Sequence, residues 1–496
     1  MDNDKGPASI ARRRPLFSLG NSTGWRKYRY YIGTGALLIL SLVFSFVIYK
    51  MEIVGAALLF GAMLAGPIIF GIVAHPKFGI LVLLIMAYLL FFFIRMGIPF
   101  PLGTLMDGIQ ALLILGFFIK QKFHPNWKIY KSPVSIIILV WVAYNFLEIA
   151  NPVAESRLAW VYTVRSVGIV MLMYFIFMYQ VRDIKYIRLL LKIWLVLAFI
   201  GAAYAFKQEY FGFSASEMAY LNSDPEIAGL LFIGGHWRKY SIFSDPVSFS
   251  YNMVISSLMC IVMIAGNLQL WKKIVLAILA GFFLMTMLYS GTRGAYVLVP
   301  AGLLLYAILN YNKRVMIFTV IAGIFLTILI FIPTGSPSIQ RFQSAFRPNE
   351  DASYKLRKYN QKRIQPFMQS HPLGAGLGAA GEWGRRFSPG SFLAHFEVDS
   401  GYVRVAVEMG WIGLILFCTL MFIILRTGIM NYYSIKDPEL KNYCLAATVM
   451  AYAICLGNFP QEAIVQFPTN VFFYLTIALI NITYQLDQEK QLKGLV

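Results

Sequence analysis

Long apolar runs follow one another from about residue 31 to residue 485, separated by short polar breaks. A helix needs ~20 mostly apolar residues to cross ~30 Å of hydrocarbon, and only helices and closed barrels satisfy their backbone there. The runs supply about fourteen such segments, so the chain is expected to be an all-α polytopic membrane protein. Composition agrees: 58% of residues are hydrophobic and 13% charged, where soluble domains lie near half and a quarter. Soluble enzymes, nucleic-acid binders and disordered chains are excluded despite a net charge of +20. That basic surplus therefore orients the chain, binds anionic lipid, or holds an acidic substrate.

The expected spans are 31–49, 53–73, 78–94, 105–119, 133–149, 165–179, 189–206, 245–265, 274–289, 295–309, 315–332, 401–425, 442–456 and 469–485. The first follows a basic segment but is too long for a signal peptide and reads as an uncleaved helix. With the N-terminus inside, about 25 of the 43 Lys and Arg fall on cytoplasmic segments, which places both termini in the cytoplasm. The expected division is a basic N-terminus (1–30), an N-terminal bundle (31–244) with an outer loop at 207–244, a core (245–485), and a tail (486–496). The core contains a large outer loop, 333–400, between the eleventh and twelfth spans; it carries nine Lys or Arg against five Asp or Glu. Its glycines, prolines and aromatics favour an ordered lid over the membrane. Cys260, Cys418, Cys444 and Cys455 sit inside apolar runs without metal or redox spacing and read as small membrane-helix residues.

Chemistry concentrates on the outer segments. Arg293, in Ser290-Gly291-Thr292-Arg293-Gly294, stands between two apolar runs. A guanidinium there must face protein, water or an anion. It reads as an interfacial anchor or as an anion ligand whose flanking glycines let the backbone approach. Arg238 and Lys239 close the first outer loop and could pair with phosphate or with headgroups. Asp245-Pro246 behind them is placed to cap a helix. Arg357 and Arg363 lie in a cationic, helically spaced segment ahead of His371-Pro372-Leu373-Gly374-Ala375-Gly376-Leu377-Gly378. The glycine run follows no strand, so a dinucleotide site is set aside, and Gly376 is expected in a tight turn over substrate. His395 and Asp399 would share one face if a helix began at His395, as would Arg404 and Glu408, the second pair also reading as a structural ion pair. His395 and Asp399 at an outward rim suit proton transfer.

The ordered set Ser-x-x-Arg-Gly at 290–294, Pro-Leu-Gly-x-Gly-x-Gly at 372–378 and Glu-x-Gly-x-x-Gly at 408–413 resembles the O-antigen ligase/polymerase superfamily. The resemblance covers roughly residues 238–425. It implies a GT-C-like, metal-independent glycosyltransferase without cofactor, at the outer face of the bacterial cytoplasmic membrane. Its donor would be a glycan linked through pyrophosphate to undecaprenol. The family's pyrophosphate-binding arginines carry over to Arg293 and Arg357. Ligases of this family show His-Asn, nine residues, Gly, two residues, Gly; here Asp399-Ser400 stands in that place. The exchange leans toward a polysaccharide polymerase.

In that reading Asp399 or His395 assists deprotonation of the acceptor hydroxyl, and Arg293, Arg357 and Arg238 hold the pyrophosphate. Lys239, Ser290, Tyr402 and Gly376 complete the expected substrate contacts. Membrane lipids and a chain-length regulator are the expected partners, with no nucleic acid. A ligase delivering finished glycan to lipid A core is the near alternative. A lipid-linked oligosaccharide flippase is the alternative from another class, but it would keep its polar groups near the membrane midplane.

Overall fold

The computed structural model describes residues 23–96, 102–233, 235–335, 337–347, 352–396 and 398–494. The basic residues Arg12, Arg13 and Arg14 and the loop residue Glu397 lie outside them. The chain divides into two units, Met1–Phe70 and Gly71–Val496. Helix α1 runs unbroken from Thr23 to Ala74 with Pro67 inside it. The turn expected near residues 50–52 is absent. Lys50 and Glu52 bring charge there but no glycine or proline, so nothing in the sequence breaks the helix.

The second unit is a helix bundle: α2 (Pro76–Arg95), α3 (Leu102–Phe123), α4 (Pro133–Leu147), α5 (Arg157–Val164), α6 (Met173–Gln180) and α7 (Ile184–Tyr210). A π-helical turn, Arg165–Ile169, joins α5 to α6 within a single span. Short helices α8 (Ala215–Leu221) and α9 (Pro225–Leu231) and a small hairpin fill the first loop. Then come α10 (Pro246–Ile264), α11 (Leu270–Tyr289), α12 (Arg293–Leu309) and α13 (Lys313–Phe331). The long loop folds into α14 (Pro337–Ser344), α15 (Ala352–Ser370) and α16 (Gly381–Phe387). The chain ends in α17 (Gly401–Ser434), α18 (Pro438–Gly457) and α19 (Thr469–Leu492). Four of these helices begin with a capping side chain followed by proline: Ser132-Pro133, Asp224-Pro225, Asp245-Pro246 and Asp437-Pro438. Proline presets the first turn and the cap accepts an N–H that would otherwise go unsatisfied.

The protein is an all-α polytopic membrane protein. Among the described residues ten helices are long and apolar enough to cross a membrane, and α12, with 17 residues, is a shorter apolar helix. Helices α10, α18 and α19 form the buried centre, whereas α13 shows an almost wholly exposed apolar surface, as a lipid-facing helix does. The four cysteines are free and lie in α10, α17 and α18.

Two ends of the bundle can be told apart by their contacts. At one, Lys77 pairs with Asp183, Arg188 with Glu439 and Lys490 with Asp437. At the other, the segments around residues 151, 238, 291, 373, 400 and 458 meet: Asn151 donates to the Leu373 carbonyl, Arg238 to that of Ser290, and Gly401 N–H to that of Asn458. These are the segments assigned to the outer face from sequence.

Helix α17 is broken at Gly410, whose φ of 66° and ψ of −166° are not helical. The break frees carbonyls inside an apolar bundle, where each unmade hydrogen bond is costly. The glycine run supplies the replacements. Ala375 N–H donates to Val407 O at 2.9 Å, Gly376 N–H to Glu408 O at 2.8 Å, and Trp411 N–H returns a bond to Pro372 O at 3.0 Å. The Tyr144 hydroxyl donates to Met409 O at 2.9 Å. A Cβ at Gly374 would run into the Glu408 carbonyl, and one at Gly410 into that of Pro372. Gly410→Ala should therefore lower stability by about 1–3 kcal/mol, read as a fall in the melting temperature of the purified protein. Gly323→Ala, in open space on α13, should leave it unchanged or raise it.

Candidate active site

The hairpin Phe232–Ile233/His236–Trp237 turns the first loop back toward the bundle. It delivers Lys239, whose N–H donates to Tyr289 O at the end of α11 (3.1 Å). Arg238 beside it donates through Nε to Ser290 O at 2.8 Å and through Nη2 to Thr292 Oγ1 at 3.0 Å. The turn between α11 and α12 requires a positive φ, 59°, at Gly291. Its carbonyl accepts from Arg341 Nε at 2.7 Å, and a Cβ on Gly291 would lie 2.9 Å from that nitrogen. Thr292 caps no N–H of α12, because its hydroxyl donates to Pro246 O at 3.1 Å. Helix α12 thus starts at Arg293 with no acidic residue in its first turn, so its positive end adds to the local positive charge.

Arg238, Lys239, Arg293 and Arg341 together line one recess of about 400 Å³. Among the described residues its one carboxylate is Glu209, which pairs with Lys239 at 3.1 Å. Burial, and next the charge of Arg341, pull the Arg238 guanidinium down to about 10. Arg341 is lowered too, by burial and then by Arg293. Three guanidiniums in one half-buried place repel one another, and an anion among them relieves that repulsion.

A second recess of about 350 Å³ adjoins the first. Arg357 on α15 lines it with Asp399, Ser400 and Pro460. Arg357 and Arg293 act on each other electrostatically. Gly294, next to Arg293, is packed so that a Cβ would lie 3.1 Å from the Tyr251 hydroxyl and 3.3 Å from the Pro460 ring. Asp399 is held in place by its two C-terminal neighbours. Ser400 caps α17 by accepting from Val403 N–H at 3.5 Å, and Gly401 N–H donates to Asn458 O at 3.0 Å. One turn into α17, Arg404 pairs with Glu408 at 3.1 Å and with Glu462 at 2.5 Å, and Glu408 also accepts from Ala380 N–H at 3.3 Å.

Arg238, Lys239, Arg293, Arg357 and Asp399 thus gather in two adjoining recesses; four other expected residues are placed differently. His395 ends a separate 3₁₀ turn, Phe392–His395, rather than opening α17, so it does not share a helical face with Asp399. Its Nε2 lies 2.9 Å from Pro389 O. Ser290 is buried, its hydroxyl donating to Met287 O and accepting from Thr292 N–H. Tyr402 donates to Cys455 O and packs against Phe417 inside the bundle. Gly376 is set by the broken helix beneath it and by Ala154, not by a turn over the two recesses. Arg404 and Glu408 do pair, and Asp245 does cap α10, accepting from Val247 and Ser248 N–H.

Arg341 and Glu462 were not singled out from sequence. Arg341 carried a signal: Ile339, Phe342 and Phe346 recur at helical spacing after the thirteenth helix. Phe342 is buried 5.2 Å from the Tyr296 ring, and anchoring it there brings its neighbour Arg341 to Gly291. Glu462 carried none, since its partner is 58 residues away.

Residues 274–418 match the Wzy_C family model, described as O-Antigen ligase. The segment runs from α11 into α17 and contains Arg293, Arg341, Arg357 and Asp399. The matched segment, 145 of the 496 residues, is similar to the O-antigen ligase/polymerase superfamily. No curated protein matches the chain. Enzymes of this superfamily are glycosyltransferase-like and act on lipid-linked glycans. Arg238, outside the matched segment, completes the arginine recess of this O-antigen ligase-type domain from the N-terminal side.

Inorganic pyrophosphate should raise the melting temperature of the purified protein, corresponding to about 2.7 kcal/mol at a hundredfold excess over its dissociation constant. Arg341→Ala should remove most of that shift, and Arg341→Lys should restore part of it. Lysine keeps the charge but not the planar fork.

Proposed function

We propose that the protein polymerises undecaprenyl-pyrophosphate-linked oligosaccharides into a surface polysaccharide, at the outer face of the bacterial cytoplasmic membrane. The observation that carries this reading is the convergence of Arg238, Arg293 and Arg341 on one recess that adjoins the recess of Asp399 and Arg357. In the proposed reaction an acceptor hydroxyl attacks the anomeric carbon of the lipid-linked sugar. The new C–O bond forms as the bond to phosphate breaks, and the electron pair leaves with undecaprenyl pyrophosphate. Asp399 takes the hydroxyl proton. The guanidiniums are already in place where negative charge grows on the leaving group, so they stabilise it with little reorganisation. A carboxylate in contact with the attacking hydroxyl adds general-base assistance, worth ~10²–10⁴-fold.

The polymerase reading rests on Asp399-Ser400, which stands where ligases of this family carry His-Asn. The ligase reading, in which finished glycan passes to lipid A core or another acceptor, is favoured by the description of the matching family model. Arg293→Ala should abolish polymer in cells while membrane levels of the protein stay normal. Asp399→Asn should reduce polymer by about a hundredfold or more. Wild-type chain length from Arg293→Ala ends the proposal.

A further inference from the structure

A third recess lies on the same end of the bundle and is not used by the proposed chemistry. It has a volume of about 130 Å³ and is walled by the entry to α5, the end of α15 and the segment after α16. Oxygen-bearing side chains reach it from both sides: Glu155 and Ser156 from one, Ser388 and Ser391 from the other. Its apolar walls include Phe367 and Phe392. His371 also lines it and stacks on Phe367, ring centroids 4.1 Å apart and planes 9° from parallel.

The state of Ser156 points to a ligand. The other serines that precede a described helix, Ser132, Ser214, Ser391 and Ser400, each accept an N–H of the first turn. Ser156 precedes α5 and makes no such bond. Leaving a cap unmade forgoes about 1 kcal/mol. Ser156 instead lines the recess beside Glu155.

Aromatic side chains beside a carboxylate and several serines suit a sugar ring. A pyranose has an apolar C–H face that packs on an aromatic face, and a rim of hydroxyls that donate to carboxylate and serine oxygens. The volume is well below the ~300 Å³ at which pockets for larger ligands begin, which suits one ring rather than a whole oligosaccharide.

Position in the fold supports the same occupant. Arg357 and Ile364 are seven residues apart on one face of α15, and His371, seven further and just past its last residue, continues that line through its N–H bond to Phe367 O. Arg357 and Asn360 line the Asp399 recess at one end of this face, and Phe367 and His371 line the third recess at the other. From residue 359 to residue 369 the helix rises about 15 Å, at 1.5 Å per residue. That span holds a few linked sugars.

We propose that this recess is a saccharide subsite, holding one ring of the glycan a few units away from the bond being made. The inference rests on the polymerase reading for its occupant but has its own test. The probe is a set of water-soluble tri- to hexasaccharides, released by partial acid hydrolysis from the surface polysaccharide of the producing bacterium. Binding to the purified full chain in nanodiscs is followed by saturation-transfer NMR and by calorimetry. Ser388→Trp, which fills the recess, should weaken binding at least tenfold. Glu155→Gln, at an exposed residue that leaves the fold intact, should weaken it severalfold. Arg293→Ala, in the pyrophosphate recess, should leave it unchanged. In vesicles with lipid-linked repeats, Ser388→Trp should shorten the mean polymer while bond formation continues. Oligosaccharide binding that is absent, or that survives both Ser388→Trp and Glu155→Gln, overturns the subsite. If the wild type forms no glycosidic bond but binds sugars in a Glu155-dependent way, the subsite stands and the polymerase reading falls.

Discussion

Backbone groups cannot go unpaired in hydrocarbon, and the places where this bundle breaks its helices are where its polar chemistry collects. At the turn between α11 and α12 the carbonyls of Ser290 and Gly291 are caught by Arg238 and Arg341. At the break in α17 the carbonyls of Val407, Glu408 and Met409 are caught by the glycine run and Tyr144. The first break brings together cations from segments that are far apart in sequence. The second ties the long loop to α17 two to three helical turns beyond Asp399. The guanidiniums therefore have two roles. They satisfy freed carbonyls, and they gather positive charge in a recess suited to an anion.

The long loop is the hinge of this arrangement in sequence as well as in space. Its helix α14 contributes Arg341, α15 contributes Arg357, and its last residues are Asp399 and Ser400. The two arginines sit beside apolar anchors: Phe342 under Tyr296 next to Arg341, and Ile364 with Phe396 along the helix from Arg357. The ion triad of Arg404, Glu408 and Glu462 sits apart from them and joins the glycine run to the segment ahead of α19.

Much of this was legible in the sequence, and the reasons are particular. The spans after residue 76 could be placed because apolar runs are separated by charged, glycine- or proline-containing breaks, as at Asp245-Pro246, where a cap and a preset φ start the next helix. Arg293 stood out because a cation between two apolar runs has few bland explanations. Asp399 and Arg357 were found through motif order. What could not be read depended on distance. Glu462 meets Arg404 across 58 residues, and no local pattern signals that. His395 and Asp399 were paired on the premise of one continuous helix, but Ser400 caps α17 and a separate 3₁₀ turn ends at His395. Gly376 packs on the broken helix and also lines the third recess, and a glycine run reads the same in sequence for either role. The turn expected near residues 50–52 failed for a related reason, since charge alone does not end a helix.

In the proposed mechanism, cations gathered at a helix break hold a lipid pyrophosphate while a new glycosidic bond is made. The direct measurement reconstitutes the purified protein in vesicles with undecaprenyl-pyrophosphate-linked repeat units and nothing else. Polymer length and released undecaprenyl pyrophosphate are followed together by mass spectrometry. The account predicts a ladder of products with one undecaprenyl pyrophosphate released per bond, and loss of both in Arg341→Ala. A wild-type protein that forms no ladder from those units, or an Arg341→Ala variant that forms it at the wild-type rate, would contradict it.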